Sequence, residues 1–282
     1  MKLQMETRWN RPRALTFVLV FFLSFINRGA ADAFVRPAES IASSNAGDKA
    51  SDKAADKKDK SEKTEAAHTV DSGSFGIFMK GQRVATETFT IRAIEGGSEV
   101  KSQLKETVGT DGASQKSDLE LTSSGDLMRY EWSQSSGGSL SVFPDNDFLK
   151  ERITTSAAAK AAEQAFLLPT STPVLDNNFF VHREILAWRY LSSACKAEGG
   201  NLKCPQDGAD FGALVPQDRL SLPVRIELLG KEKATIHGTQ RELLHLKLTG
   251  ENFEWGLWLD DQDHYKLIRV SIPADSTEVV RD

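Results

Sequence analysis

Val84-Ala85-Thr86-Glu87-Thr88-Phe89-Thr90-Ile91-Arg92-Ala93-Ile94 is the stretch that decides the fold class. It is rich in threonine and β-branched residues. Phe89, Ile91 and Ala93 fall on one face at a period of two, the repeat of a strand. Lys80-Gly81-Gln82 precedes it and Gly96-Gly97 follows it, both turn signals. Asp111-Gly112, Gly125-Asp126 and Gly137-Gly138 continue the punctuation. Between them Leu119 and Leu121 flank Glu120, and Met128, Tyr130 and Trp132 alternate with Leu127, Arg129 and Glu131. Alternation with a polar face indicates antiparallel strands wet on one side.

The C-terminal part reads the same way. Leu220 to Leu229 is interrupted by Pro223, which suggests an edge or a strand start. Lys233–His237, the alternating Leu244, Leu246 and Leu248, then Trp255, Leu257 and Leu259 follow. Tyr265–Ile272 is the last run, stopped by Pro273. One segment departs from this pattern. Asp176 reads as an N-cap, and Val181, Ile185 and Trp188 follow at i, i+4 and i+7, widened by Leu186, Tyr190 and Leu191. The spacing predicts a helix over 177–194. The alanine run Ala157–Ala165 is ambiguous between a helix, by propensity, and a hairpin arm, by position. The expected fold is mainly β: a single curved antiparallel sheet or half-barrel of about 10–12 strands with one inserted helix.

Ahead of that domain the chain changes character. Arg8, Arg11 and Arg13 precede a 13-residue apolar run (14–26), and Ala31-Asp32-Ala33 supplies an A-x-A site. These are the parts of a secretory signal peptide over 1–33, cut before Phe34. The run is short of the roughly 20 residues of a spanning helix, so cleavage is expected to leave no integral membrane segment. An uncleaved anchor is the alternative. Residues 34–70 are rich in Asp, Lys, Ala and Ser, with Asp48-Lys49, Asp52-Lys53, Asp56-Lys57 and Asp59-Lys60 repeating. That composition predicts a disordered linker before a globular domain at 71–282.

Charge and cysteine usage limit the function classes. The net charge is −5, and removal of residues 1–33, which hold five basic and two acidic groups, takes it to −8. A mildly acidic chain without a basic stripe is not built for nucleic acid. Cys195 and Cys204 are the only cysteines. An even pair around a short polar loop reads as a disulfide of an oxidising compartment, periplasmic or extracellular.

Several features together resemble an exported bacterial β-rich domain family of unknown function: Gly73-x-Phe75-Gly76-Ile77 with Gly81, Val84, Glu87 and Phe89; the helix start Asp176-Asn177-Asn178-Phe179; and Leu257-Trp258-Leu259-Asp260 running to Leu267-Ile268-Arg269-Val270 and Pro273. That family is distantly similar to the lipoprotein-carrier half-barrels, a likeness that implies a helix across a concave sheet and an apolar ligand cavity.

No catalytic motif stands out. Among the histidines, His182 lacks the partner four residues on that H-E-x-x-H needs, and His245 falls on a polar strand face. Asp260, Asp261 and Asp263 form the densest acidic cluster, without the glycine and glutamate of a calcium loop. A turn rich in aspartate explains it. No cofactor or metal site is expected. The aromatics Phe89, Tyr130, Trp132, Trp188, Trp255 and Trp258 are the candidate ligand-lining residues, with a packed core as the alternative for each. Trp258 has opposite parity to Trp255, so one of the two is expected to leave the main core and to suit a contact surface.

Three functions fit. The first is a non-enzymatic binding module for a lipid-like or other apolar ligand or an envelope component. The second is an assembly protein of the cell envelope acting through protein contacts. The third is a hydrolase or isomerase without a recognisable motif. An open apolar cavity would favour the first, a side-chain-filled sheet interior the second, and convergent polar groups in a groove the third.

Overall fold

The computed structural model describes residues 67–107, 114–156, 159–199 and 201–282. The expected signal peptide and residues 34–66 of the expected linker lie outside the described residues, as does the Asp111-Gly112 turn.

Among the described residues, sixteen strands and one α-helix follow one another. They are β1 (His68–Met79), β2 (Gln82–Ile94), β3 (Gly97–Glu106), β4 (Ser114–Thr122), β5 (Leu127–Gln134), β6 (Ser139–Asp145), β7 (Phe148–Thr154) and β8 (Ala162–Phe166). Next come α1 (Val181–Ala194), the short β9 (Lys196–Glu198) and β10 (Asn201–Lys203), and β11 (Ala209–Val215). The chain ends with β12 (Leu220–Ile236), β13 (Thr239–Gly250), β14 (Phe253–Asp260), β15 (Lys266–Ile272) and β16 (Thr277–Arg281).

Fourteen strands form one curved antiparallel sheet, ordered β11-β12-β13-β14-β15-β16-β1-β2-β3-β4-β5-β6-β7-β8. Every neighbour is a sequence neighbour except β16 and β1, which pair from Phe75↔Arg281 to Met79↔Thr277. The meander is therefore interrupted only between β8 and β11, and the insertion there contains α1. The sheet does not close by strand pairing at this point. Instead β11 receives the segment before the helix: Leu214 N–H donates to Pro173 O and Leu175 N–H donates to Leu214 O, at 2.9 and 2.8 Å.

The strand count exceeds the expected ten to twelve, and local causes account for the excess. The β6–β7 turn uses Asn146 at φ 57° where a glycine would have announced it. The alanine run yields β8, the hairpin-arm alternative. β16 follows a turn with Ser276 at φ 57° beyond the expected stop at Pro273. In the other direction, two expected runs, Leu220–Leu229 and Lys233–His237, are one 17-residue strand with a register shift between Leu228 and Gly230. β1 begins at His68, three residues inside the expected linker.

The two faces of the sheet carry separate apolar clusters. The inner face holds the main core, including Phe75, Ile91, Val100, Leu119, Tyr130, Leu246, Leu257 and Val279, with α1 packed on it. On the outer face Ala234, Ile236, Leu243, Trp258 and Ile268 form a smaller cluster with Val280 against it. It seats the distal arm of the β12–β13 hairpin on β14–β16. Cys195 and Cys204 are disulfide-bonded and flank the β9–β10 hairpin after the helix. No described helix is long and apolar enough to cross a membrane.

Candidate functional site

The inner face presents the most organised chemistry, where the chain turns into α1. The helix starts at Val181, four residues later than expected, and its N-cap residue Phe180 supplies no side-chain cap. A helix start leaves its first N–H groups without intrahelical acceptors. Here two carboxylates take four consecutive amides. Asp176 Oδ1 accepts Asn178 N–H at 2.7 Å and Phe179 N–H at 3.2 Å. Glu87, from β2, accepts Phe180 N–H on Oε2 at 2.6 Å and Val181 N–H on Oε1 at 3.2 Å. Glu87 is thus a cap delivered from 93 residues away in sequence. Negative charge also suits the positive end of the helix dipole. Ser102 Oγ donates to the same Glu87 Oε1 at 2.8 Å. Burial nonetheless dominates, and Glu87 is pushed up to about 7.

Arg183 balances these acids. It is 1% exposed, and its Nη1 donates to Asp176 O and, at 2.6 Å, to Phe179 O. Its guanidinium lies over the Phe180 and Trp255 rings, at 5.0 and 4.8 Å from their centroids. Burial lowers its pKa to about 10. Glu184, also buried, accepts Leu267 N–H at 3.2 Å and lies 3.8 Å from Arg281, which holds Asp71 at 2.6 Å. Burial, and then Asp71, raise the Glu184 pKa well above the ordinary carboxylate range.

The expected stripe Val181, Ile185 and Trp188 is therefore only partly the buried one. Ile185 and Trp188 are half-buried, while His182, Arg183 and Glu184 are enclosed. Farther along, Trp188 Nε1 donates to Tyr265 O and Arg189 Nη1 to Gly125 O, each at 2.8 Å. These bonds tie the helix to the β14–β15 loop and the β4–β5 turn.

A second set of contacts bridges the interrupted end of the sheet. Tyr130 on β5 donates to Asp176 Oδ2, and Gln217, after β11, donates to Tyr130 Oη at 3.0 Å and to Asp176 Oδ2 at 2.5 Å. Arg219 Nε reaches Glu151 on β7 at 3.4 Å. Burial pushes Glu151 up to about 7.

Ser117 and His182 also meet here, Oγ to Nε2 at 3.4 Å, with His182 Nδ1 3.4 Å from Val174 O. Both residues are buried, and burial lowers the histidine pKa to about 4. The neutral ring packs edge-on to Tyr130 at 5.7 Å. With helix and sheet on either side, this buried pair ties α1 to β4.

The six aromatic candidates do not line one groove. Phe89 stacks on Phe75 at 4.9 Å in the core, and Tyr130 is spent on Asp176. Trp132 donates to Gln115 at 3.0 Å, Trp188 to Tyr265 O, and Trp255 packs on Phe253 at 4.6 Å. Trp258 has the opposite parity expected of it, yet it is 7% exposed, not an open contact residue. It is the centre of the outer cluster, stacked on His245 at 4.3 Å. His245, expected on an exposed face, is half-buried and 2.7 Å from Glu232.

Open space lies on the outer face. A cleft of about 680 Å³ runs over β2–β7, lined by Lys101, Lys116, Asp118, Glu131, Ser141 and Arg152. Strand register places all six opposite the helix-bearing side. Glu99, Asp118 and Glu120 cluster beside it, with Lys101 and Arg129 interleaved as counter-charges. A second cleft of about 590 Å³ lies between β12 and the outer surface of β1, β15 and β16. In the acidic β14–β15 loop each carboxylate has its own cation: Arg241 for Asp260, Lys231 for Asp261 at 2.6 Å, Lys266 for Asp263 at 2.9 Å.

Sequence reasoning missed Glu87, Asp176 as a double acceptor, Arg183, Glu184 and Glu151. A signal existed for the first. The period of two that turns Phe89 and Ile91 inward also turns Glu87 inward. Comparison with protein-family models, with curated proteins and with solved structures gives no match.

Proposed function

We propose that the protein is a non-enzymatic assembly module that works through protein contacts on the outside of its sheet. The observation carrying this reading is the occupancy of the inner face. The side chains of Val181, Leu186, Ala187 and Tyr190, together with Arg183, fill the space where a carrier would hold an acyl chain. An apolar ligand would have to displace α1 and strand Glu87, Glu184 and Arg183 without partners, each costing several kcal/mol in a low-dielectric interior. The clefts described on the other face are open and lined by polar and apolar side chains alike, as suits a protein surface. The disulfide supports action in an oxidising compartment, which agrees with the leader-like first 33 residues and a place in the envelope or outside the cell.

The test is mass spectrometry of organic extracts from the protein purified natively, run beside in-cell crosslinking. The expected result is no stoichiometric small molecule and a discrete crosslinked protein species. A stoichiometric acyl-chain or isoprenoid compound would overturn the reading in favour of an apolar-ligand carrier.

A further inference from the structure

β12 pairs with β11 only along Leu220–Ile226 and with β13 from Arg225 to Ile236. From Glu227 to Ile236, one edge of β12 has no strand beside it among the described residues. The arm ends in a two-residue turn, His237-Gly238, at φ 49° and 78°. Such a turn makes its flanking pair, Ile236↔Thr239, a hydrogen-bonded one, and antiparallel pairing then alternates. The main-chain groups of Glu232, Ala234 and Ile236 point to β13. Those of Lys231, Lys233 and Thr235 point out along the free edge. The 590 Å³ cleft borders that edge, with Lys233, Ala234 and Thr235 on one side and Phe78, Glu278 and Val280 on the other.

From this geometry we infer that the free edge of β12 takes up an extended segment of a partner protein by strand addition. The inference rests on the protein-contact reading above and names where that contact is made. Side chains of the added strand alternate between Phe78 and Val280 beneath and solvent above.

The charges choose the occupant. Lys231 and Lys233 stand on the solvent side; Lys231 is held by Asp261 at 2.6 Å, and Lys233 has no acidic partner within ion-pair distance among the described residues. A second copy pairing antiparallel with this edge would oppose lysine to lysine, which is unfavourable. A partner with an acidic residue beside Lys233 and apolar residues on the alternate positions satisfies both faces. The Arg269–Glu278 pair at 2.7 Å closes the floor without leaving a free charge.

The experiment is residue-resolved amide exchange on the full chain, with an acetylated and amidated heptapeptide alternating glutamate and valine. With peptide at about ten times its Kd, protection of the Lys231, Lys233 and Thr235 amides should rise about tenfold, with no such rise at Glu232 and Ala234. The same peptide N-methylated at alternate amides should give no protection. Lys233→Glu, an exposed change that leaves the fold intact, should weaken the acidic peptide and favour its lysine counterpart. Absence of protection at those three amides, with or without binding, overturns the inference. So does a crosslinked partner retained equally by the parent and by Thr235→Pro, an outcome that leaves the protein-contact reading standing.

Discussion

The two faces of one sheet are held by opposite means. On the inner face, α1 is fixed by buried ionisable groups: Glu87 and Asp176 at its start, Arg183 and Glu184 in its first turn. On the outer face, the β12–β13 arm is fixed by a few apolar residues around Trp258, with Lys231 and Glu232 ion-paired in water's reach. Buried charges cost desolvation that only close partners offset, so the contacts of Glu87, Asp176, Arg183 and Glu184 favour one position for the helix over others. A small apolar patch is less selective. It holds the arm down at a lower cost of opening than the inner face sets for α1. The difference teaches that the two faces of one sheet are ordered by different forces.

The sharpest way to break this comparison is at Arg183. Arg183→Ala leaves Glu87 and the carbonyls of Asp176 and Phe179 buried without their counter-charge. Removing one partner from such a set costs about 3–5 kcal/mol. Urea denaturation should show that loss as a lowered midpoint. A change under about 1 kcal/mol would mean that the helix is held by apolar contacts alone.

Glu87 sharpens the same point through pH. Its folded pKa of about 7 lies above the ordinary 4.5, so between those values the folded state keeps a proton that the unfolded chain has lost. Its contribution is whole below about pH 4.5 and is lost as pH rises through 7, on the order of 3 kcal/mol. Glu151 acts in the same direction. His182 acts oppositely: lowered to about 4, it favours folding above pH 6.5 and loses that contribution as pH falls through 4. Glu87→Gln should therefore flatten the fall in stability between pH 5 and 7 by about one proton, near 1.4 kcal/mol per pH unit. An unchanged slope would show that Glu87 is ionised throughout.

The smallest expected effect is on the outer face. Trp258→Ala should cost about 2–3 kcal/mol, because a cluster at the surface relaxes more than a core does. The cost should appear as opening of Thr235–Thr239 in amide exchange while the inner face keeps its protection. Equal loosening of both faces would contradict their independence.

Much of the architecture was legible in the sequence. Alternation in residues 84–94 and the glycine turns at Gly81, Gly96 and Gly125 describe β2 and its neighbours as they stand, whereas in β5 a register shift buries Leu127 and leaves Met128 exposed, against its expected grouping with Tyr130 and Trp132. The disulfide was legible from two cysteines and a short loop. The candidate site was not, because its parts contradict the usual hydrophobic reading. A stripe centred on Val181, Ile185 and Trp188 presumes one buried helical face. The first turn of α1 is instead enclosed on all sides, so His182, Arg183 and Glu184 go inward with Val181. Glu87 was visible by parity, but its partner amides lie 93 residues away, and no local pattern encodes that distance.

The most direct test of the account is native-state amide exchange comparing α1 with the β12–β13 arm. The account predicts that Phe180, Val181 and the helix that follows exchange only through global unfolding, while the tip of the arm opens locally at lower free energy. Exchange of α1 as fast as the arm, or faster, would contradict it and make the helix a movable cover over a ligand space.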